Sequence, residues 1–146
     1  MYISTQYLKA TGAVDVVDYL DVRDWEQIVI KPGAERTRVY QLPSWCLDRL
    51  DGKVDWLHGA FSFQEMERSV AAAYLTGAKK LGCTGAWLMS SIEGHKPGAG
   101  GQAAPVRFAD LESALEPELR CSGDMARPLS GCYASVHEAS RLFARV

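Results

Sequence analysis

The chain of 146 residues has the length of one domain, and its 47% apolar and 23% charged residues are ordinary for a globular protein. Its net charge of −2 gives no basic field that would attract nucleic acid or an anionic membrane. The sequence contains no CxxC pair, no basic-then-apolar leader and no apolar run of about 18 residues. We therefore expect no compact metal site, no membrane span and a cytoplasmic protein with reduced thiols.

The N-terminal third predicts one helix followed by short strands. Apolar residues recur at helical spacing over 2–10, and Gly12 follows where a C-terminal cap belongs. Three β-rich runs come next, and the last of them is stopped by Pro43. These predicted strands cover 13–20, 25–30 and 36–42, and the first is either a short strand or a strand that enters a turn. One or two helical turns over 44–50 complete this part, with Ser44 as a candidate N-cap.

Residues 54–92 predict a strand, a helix and a second strand. The run from Val54 to Phe61 is almost continuously apolar, which favours a strand covered on both faces. A helix over 65–81 and a buried strand over 86–92 follow, an order typical of a βαβ unit with two parallel strands. The helical stripe expected to face the core consists of Met66, Val70, Ala73, Tyr74, Gly77, Ala78 and Leu81.

The C-terminal part begins with a glycine-rich loop over 93–105. This loop lacks both the third glycine of the dinucleotide-binding fingerprint and the GK[ST] of a P-loop. We expect either a loop without a ligand or a loop that covers a substrate through His95 and Lys96. A helix over 108–115 and strands over 119–125 and 133–136 follow, and 137–146 forms a strand or a helix.

The most distinctive candidate site is the segment Phe61-Ser62-Phe63-Gln64-Glu65-Met66. It follows the carboxyl end of the first βαβ strand, where open α/β sheets bind their ligands. Gln64 and Glu65 can hydrogen-bond a polar ligand, but the segment equally fits helix capping with two core phenylalanines. The sequence has no GxSxG, HExxH or clustered metal ligands, and we expect His58 to be a core residue.

Two neighbouring segments carry a resemblance to a known family. Val54-Asp55-Trp56-Leu57-His58 and Ser62-Phe63-Gln64-Glu65-Met66 resemble the fourth-strand region of S-adenosylmethionine-dependent methyltransferases, closest to sugar O-methyltransferases. Looser similarity covers Tyr7-Leu8-Lys9, Leu42-Pro43-Ser44-Trp45 and Ala86 to Ser91. The resemblance implies one α/β domain over 1–146. Its fold would be a partial Rossmann-like three-layer sandwich with a mostly parallel sheet and an antiparallel strand near the C-terminus.

This chain differs from the family in the segment that binds the cofactor. The family binds S-adenosylmethionine on a glycine-rich turn after its first strand, and no E/D-x-G-x-G turn occurs in this sequence. The resemblance therefore implies the C-terminal half of a methyltransferase domain, with no cofactor expected for the chain alone. We expect a non-catalytic module that interacts with a small molecule or a protein. One alternative is an S-adenosylmethionine-dependent sugar O-methyltransferase completed by a partner or second subunit, and another is an unrelated α+β binder of small ligands.

A polar small molecule is the substrate in the enzyme hypothesis and, beside a protein, one of two partners in the non-catalytic hypothesis. For an enzyme, Glu65 or His95 would act as the general base toward a sugar hydroxyl. The residues expected to contact the bound molecule are Phe61, Ser62, Phe63, Gln64 and Lys96.

A domain without the N-terminal half of the family's fold would leave one strand of its sheet without a neighbour. In the family, the fourth strand pairs with the first, so this chain would expose an apolar sheet edge near Val54 to Phe61. An uncovered edge is a template for pairing with another strand. Either an N-terminal run, 14–19 or 25–30, occupies the place, or two chains pair as a homodimer through this edge.

Overall fold

The computed structural model describes residues 2–94, 103–124 and 138–145. The chain forms two compact units, Met1–Lys53 and Val54–Val146. It is a mixed α/β protein with several sheets, some of which are parallel. The expectation of a single domain stays a prediction. Among the helices in the described ranges, none has the length and apolar character needed to cross a bilayer.

The first unit is built from short elements around a small core. Strand β1 pairs in parallel with β3, and β2 pairs in parallel with β4. Its buried residues are Val22, Ile28 and Cys46. The elements are α1 (Tyr2–Thr11), β1 (Asp15–Asp18), α2 (Tyr19–Val22), β2 (Ile28–Val29), β3 (Arg38–Gln41), a 3₁₀ helix (Ser44–Arg49) and β4 (Leu50–Asp51).

Two local predictions in the first unit need correction. The predicted strand over 13–20 ends at Asp18, because the Asp18 carboxylate accepts a hydrogen bond from the Leu20 N–H at 2.8 Å and starts α2. The Asp21 carboxylate accepts the Asp18 N–H in return, which completes a capping box. Ser44 is not an N-cap, since it is already the first helical residue and Pro43 precedes it without a side-chain bond.

The second unit contains a four-stranded sheet in the order β5-β6-β8-β7. β5 and β6 are parallel and are joined through α3, which confirms the predicted βαβ unit. β8 is antiparallel to both of its neighbours, so the C-terminal element is a strand. The predicted strand over 133–136 lies outside the described residues. The elements are β5 (Trp56–Ala60), a 3₁₀ helix (Phe63–Glu65), α3 (Arg68–Lys80), β6 (Gly85–Ser91), α4 (Phe108–Leu115), β7 (Leu119–Asp124) and β8 (Glu138–Arg145).

Helix α3 begins later than predicted, and its core face matches the predicted stripe in part. The backbone at Met66 is extended, with φ −103° and ψ 156°, and the helix starts at Arg68. The residues of α3 that are buried are Ala71, Leu75 and Ala78, whereas Val70 is 42% exposed. Of the predicted stripe, Ala78 and Leu81 are buried, and Met66 and Tyr74 pack against the core. Gly82 follows the helix with a φ of +76°, a conformation that favours glycine.

Strand β5 is not covered on both faces, contrary to the prediction. It is the edge strand of its sheet, and Trp56 is 58% exposed. His58 is exposed rather than buried, and its ring stacks on Trp87 of β6 at 4.4 Å. Alternation along the strand turns Leu57 and Gly59 toward the opposite, core face. The apolar run therefore forms a strand with one face packed on the core and the other face exposed.

Candidate functional site

The predicted site segment lies at the carboxyl edge of the parallel pair. The Phe61 N–H donates to the Met89 carbonyl at 2.7 Å, which extends the ladder one residue past β5. Phe61 itself has a φ of +56°, an uncommon conformation for a residue other than glycine. This sharp turn directs the chain from the strand into the 3₁₀ helix that carries Gln64 and Glu65.

Gln64 ties the ends of the two parallel strands together. Its Oε1 accepts a hydrogen bond from the Ser91 N–H at 2.8 Å and a longer one from the Ser90 hydroxyl at 3.4 Å. Its Nε2 donates to Glu65 Oε1 at 3.3 Å. Two predicted site residues therefore meet each other and the end of β6, as expected for the carboxyl edge of a parallel pair.

The two phenylalanines of the segment have different environments. Phe63 is 4% exposed and packs edge-on against Tyr74 at 6.4 Å, so its ring belongs to the core and not to a substrate surface. Phe61 is half-buried, whereas Ser62 and Glu65 are exposed at the edge of the sheet. The helix-capping and core interpretation thus describes Phe63, whereas Ser62, Gln64 and Glu65 lie at the carboxyl edge of the parallel pair. His95 and Lys96 lie outside the described residues.

A cavity of about 250 Å³ adjoins the end of β6. Its lining brings together the residues after β6, α4 with the residue before it, and one residue of β8: Ile92, Glu93, Arg107, Phe108, Ala109, Glu112 and Arg141. The first of these follows Ser91, whose N–H binds Gln64 of the predicted site segment. None of the seven was predicted from the sequence as a site residue.

Contacts with Glu112 and Phe108 help to position Arg141 in this cavity. Its guanidinium forms an ion pair with the Glu112 carboxylate and lies over the Phe108 ring, 5.3 Å from the ring centre. A cation over an aromatic face and beside a carboxylate is held in one orientation. Glu112 lies on α4 and Arg141 on β8, 29 residues apart, so no local spacing could have revealed the pair.

Arg107 and Glu93 supply exposed charges on the cavity wall. The Arg107 N–H donates to the Asp110 carboxylate at 2.8 Å, which caps the start of α4 and fixes the backbone there. The Phe108 N–H donates to the Ile92 carbonyl at 3.1 Å and joins α4 to the end of β6. The cavity therefore combines two guanidiniums, two carboxylates and an apolar floor on a rigid frame.

Glu67 positions the chain that returns to this edge. Its carboxylate accepts hydrogen bonds from the Ala103 N–H at 2.8 Å and the Ala104 N–H at 3.4 Å. A second cleft of about 310 Å³ lies between α3 and α4, with the ion pair of Arg68 and Asp110, at 3.3 Å, on its lining. Its walls are largely alanine and leucine, so it offers little polar chemistry.

The described residues include no group of three His, Cys, Asp or Glu side chains that could hold a metal ion. No protein family, curated protein or solved structure matches this chain.

Proposed function

We propose that this chain is a non-catalytic, methyltransferase-like module that binds a polar small molecule. The observation that carries the proposal is the cavity at the end of β6, where charges of both signs surround Phe108. Guanidinium groups favour carboxylates and phosphates, and carboxylates accept hydrogen bonds from hydroxyl groups. A sugar that bears an acidic or phosphate group fits this combination of donors, acceptors and an apolar floor.

Calorimetry with glucose 6-phosphate, glucuronate and uncharged glucose tests this ligand class. We expect saturable binding of an anionic sugar and much weaker binding of glucose. Arg107→Gln should weaken that binding at least about tenfold, since a hydrogen bond to a charged group contributes roughly 1.5–3 kcal/mol. Arg120→Gln, on exposed β7, is the matched control and should leave binding unchanged. Absence of binding at millimolar sugar, or equal effects of the two variants, would overturn the proposal.

The alternative is an S-adenosylmethionine-dependent sugar O-methyltransferase completed by a partner. The location of Glu65 at the carboxyl edge, beside Gln64, favours it, because a general base must reach the ligand directly or through one water. Titration of the chain with S-adenosylmethionine and S-adenosylhomocysteine separates the two functions. Micromolar binding would support the enzyme, whereas no binding up to millimolar cofactor would support a module without this cofactor.

We further propose the C-terminal half of a Rossmann-like methyltransferase fold and a homodimer formed through the edge near Val54 to Phe61. The parallel β5–β6 pair and the reversed strand β8 support the fold. The edge position of β5 supports the dimer. The free thiols of Cys46, Cys83 and Cys121 support a reducing compartment, the cytoplasm.

A further inference from the structure

We infer that two copies of this chain pair antiparallel along β5, with His58 of each copy at the two-fold axis. The inference rests on the proposed homodimer and adds the register of its interface. Such pairing would join two four-stranded sheets into one continuous sheet of eight strands.

The hydrogen bonds to β6 establish which groups of β5 face outward. The Asp55 carbonyl accepts the Gly85 N–H at 3.1 Å, and the Phe61 N–H donates to Met89 at 2.7 Å. In a parallel ladder every second residue bonds to the neighbouring strand, so the odd-numbered residues of β5 face β6. Trp56, His58 and Ala60 therefore direct their backbone N–H and C=O groups to the open edge.

Among the described residues, this edge lacks the features that commonly keep edge strands apart. Residues 56–60 contain no proline, lysine or other charged side chain, and their pairing with β6 is regular. The N-terminal runs expected as alternative occupants have other partners, because β1 pairs with β3 and β2 pairs with β4. Within the part of the chain that the structure describes, β5 has one strand neighbour, β6.

The sequence of β5 is complementary to itself when it is reversed. It reads Trp-Leu-His-Gly-Ala, with the large side chains at one end and the small ones at the other. Antiparallel pairing centred on His58 places Trp56 opposite Ala60 on the open face. On the core face it places Leu57 opposite Gly59. Each large residue therefore meets a small one without a steric clash, and the strand is self-complementary in the way that a two-fold interface requires, which favours a second copy as the occupant.

The same register uses all the outward backbone groups. Residues 56, 58 and 60 pair with 60, 58 and 56 of the other copy, and each such pair exchanges two hydrogen bonds, about six in total. A shift by two residues leaves some of these groups unpaired and places Trp56 opposite His58 or a residue beyond the strand. The centred register is thus the one that best satisfies the edge.

Light scattering or sedimentation equilibrium first tests the dimer itself. We expect the wild-type chain to be a dimer at micromolar concentration, and Ser122→Lys on exposed β7 to leave it unchanged. A wild-type monomer would overturn both the homodimer and the register inferred from it. A dimer leaves the register to be tested independently.

Two charge variants that differ at one position test the register. Trp56→Lys with Ala60→Glu places opposite charges across the axis, and Trp56→Lys with Ala60→Lys places like charges there. We expect the first to dimerise at least about tenfold more tightly than the second, because cross-strand charge pairs have opposite effects. Equal dimerisation of the two variants would overturn the register while leaving the homodimer intact. Unchanged far-UV circular dichroism shows that both variants fold.

Mixing two oppositely charged variants provides a second test of the register, because it measures heterodimer formation. The Trp56→Lys, Ala60→Lys chain should form heterodimers with a Trp56→Glu, Ala60→Glu chain, while each chain by itself stays mainly monomeric. Native mass spectrometry distinguishes the three species by mass. Failure to form heterodimers from two folded chains would contradict the centred antiparallel register.

Discussion

Gly59 lies where β5 passes directly over the ring of Phe63. A Cβ atom added at Gly59 would lie 2.4 Å from Phe63 Cε2 and 3.3 Å from a methyl group of Leu88. The ring has little freedom to move, because Phe63 is 4% exposed and packs against Tyr74. A residue without a side chain is therefore required at this point for β5 to lie close to the core.

Gly59→Ala should lower the free energy of unfolding by about 1–3 kcal/mol, the usual cost of overpacking a core. Urea denaturation measures the change. Gly123→Ala is the matched control, because a Cβ at Gly123 meets no atom within 4 Å. Equal effects of the two substitutions would contradict the close packing of Gly59 on Phe63.

Glu118 carries a charge whose titration is linked to folding. The Lys79 ammonium, 3.0 Å from Glu118, donates a hydrogen bond to its carboxylate and holds the Glu118 pKa below its ordinary value of 4.5. A carboxyl group with a lowered pKa in the folded state stabilises the protein above the unfolded-state pKa. This contribution is lost as the pH falls below that value and through the lower pKa of the folded state.

Glu118→Gln should therefore reduce the stability lost between pH 6 and pH 3. Urea denaturation at a series of pH values measures the slope for the wild type and the variant. Glu116→Gln removes a neighbouring exposed carboxylate and leaves the Lys79–Glu118 contact in place, so it is the matched control. Identical slopes for wild type and Glu118→Gln would show that the Lys79 contact does not persist in solution.

The core face of α3 matches the predicted stripe only in part, at the scale of single elements. Ala78 of that stripe is buried and Tyr74 packs against the core, but Val70 is 42% exposed. Leu75 lies outside the predicted stripe and is fully buried. Packing against the sheet therefore determines which face of the helix turns inward.

Leu75→Ala should cost about 2–5 kcal/mol of unfolding free energy, as expected for a large-to-small change in a core. Val70→Ala on the same helix should change stability by less than about 0.5 kcal/mol, as for other exposed positions. The free energies of unfolding of the two variants, measured with denaturant, show whether Leu75 or Val70 lies on the core face of α3. The reverse ranking would restore the stripe predicted from the sequence.

At the scale of the whole molecule, the hydrophobic core is divided. One cluster contains residues between Phe63 and Phe143, and the other is centred on Val22, Ile28 and Cys46. Each cluster belongs to one of the two compact units. Among the described residues, the larger cluster has eleven buried members, and all of them belong to the second unit.

Residues 54–146 expressed alone should therefore fold, since the larger hydrophobic cluster lies within this unit. We expect a cooperative urea transition and a far-UV spectrum with both helix and strand content. The fragment 1–53 is near the size at which a single core becomes marginal, roughly 60 residues or fewer, and should be less stable. A fragment 54–146 without a cooperative transition would show that the two units fold as one domain.

The sequence was most informative where structure is local. Phe108, Leu111 and Leu115 recur at helical spacing, and α4 has the predicted bounds. The predicted strand over 86–92 corresponds to β6, shifted by one residue. The cavity at the carboxyl edge could not be predicted in this way. Its central ion pair joins Glu112 to Arg141, and such a contact depends on which strands and helices become neighbours.

By itself, the sequence determined the order of most helices and strands and the parallel βαβ unit, because side-chain periodicity and turn residues act over a few positions. Only the tertiary structure decided that β5 is an edge strand, that Phe63 is a core residue and that Gln64 binds the end of β6. It also decided that Arg141 meets Glu112 beside Phe108. These features depend on contacts between residues far apart in the chain, whose pairing is fixed by packing of the whole unit.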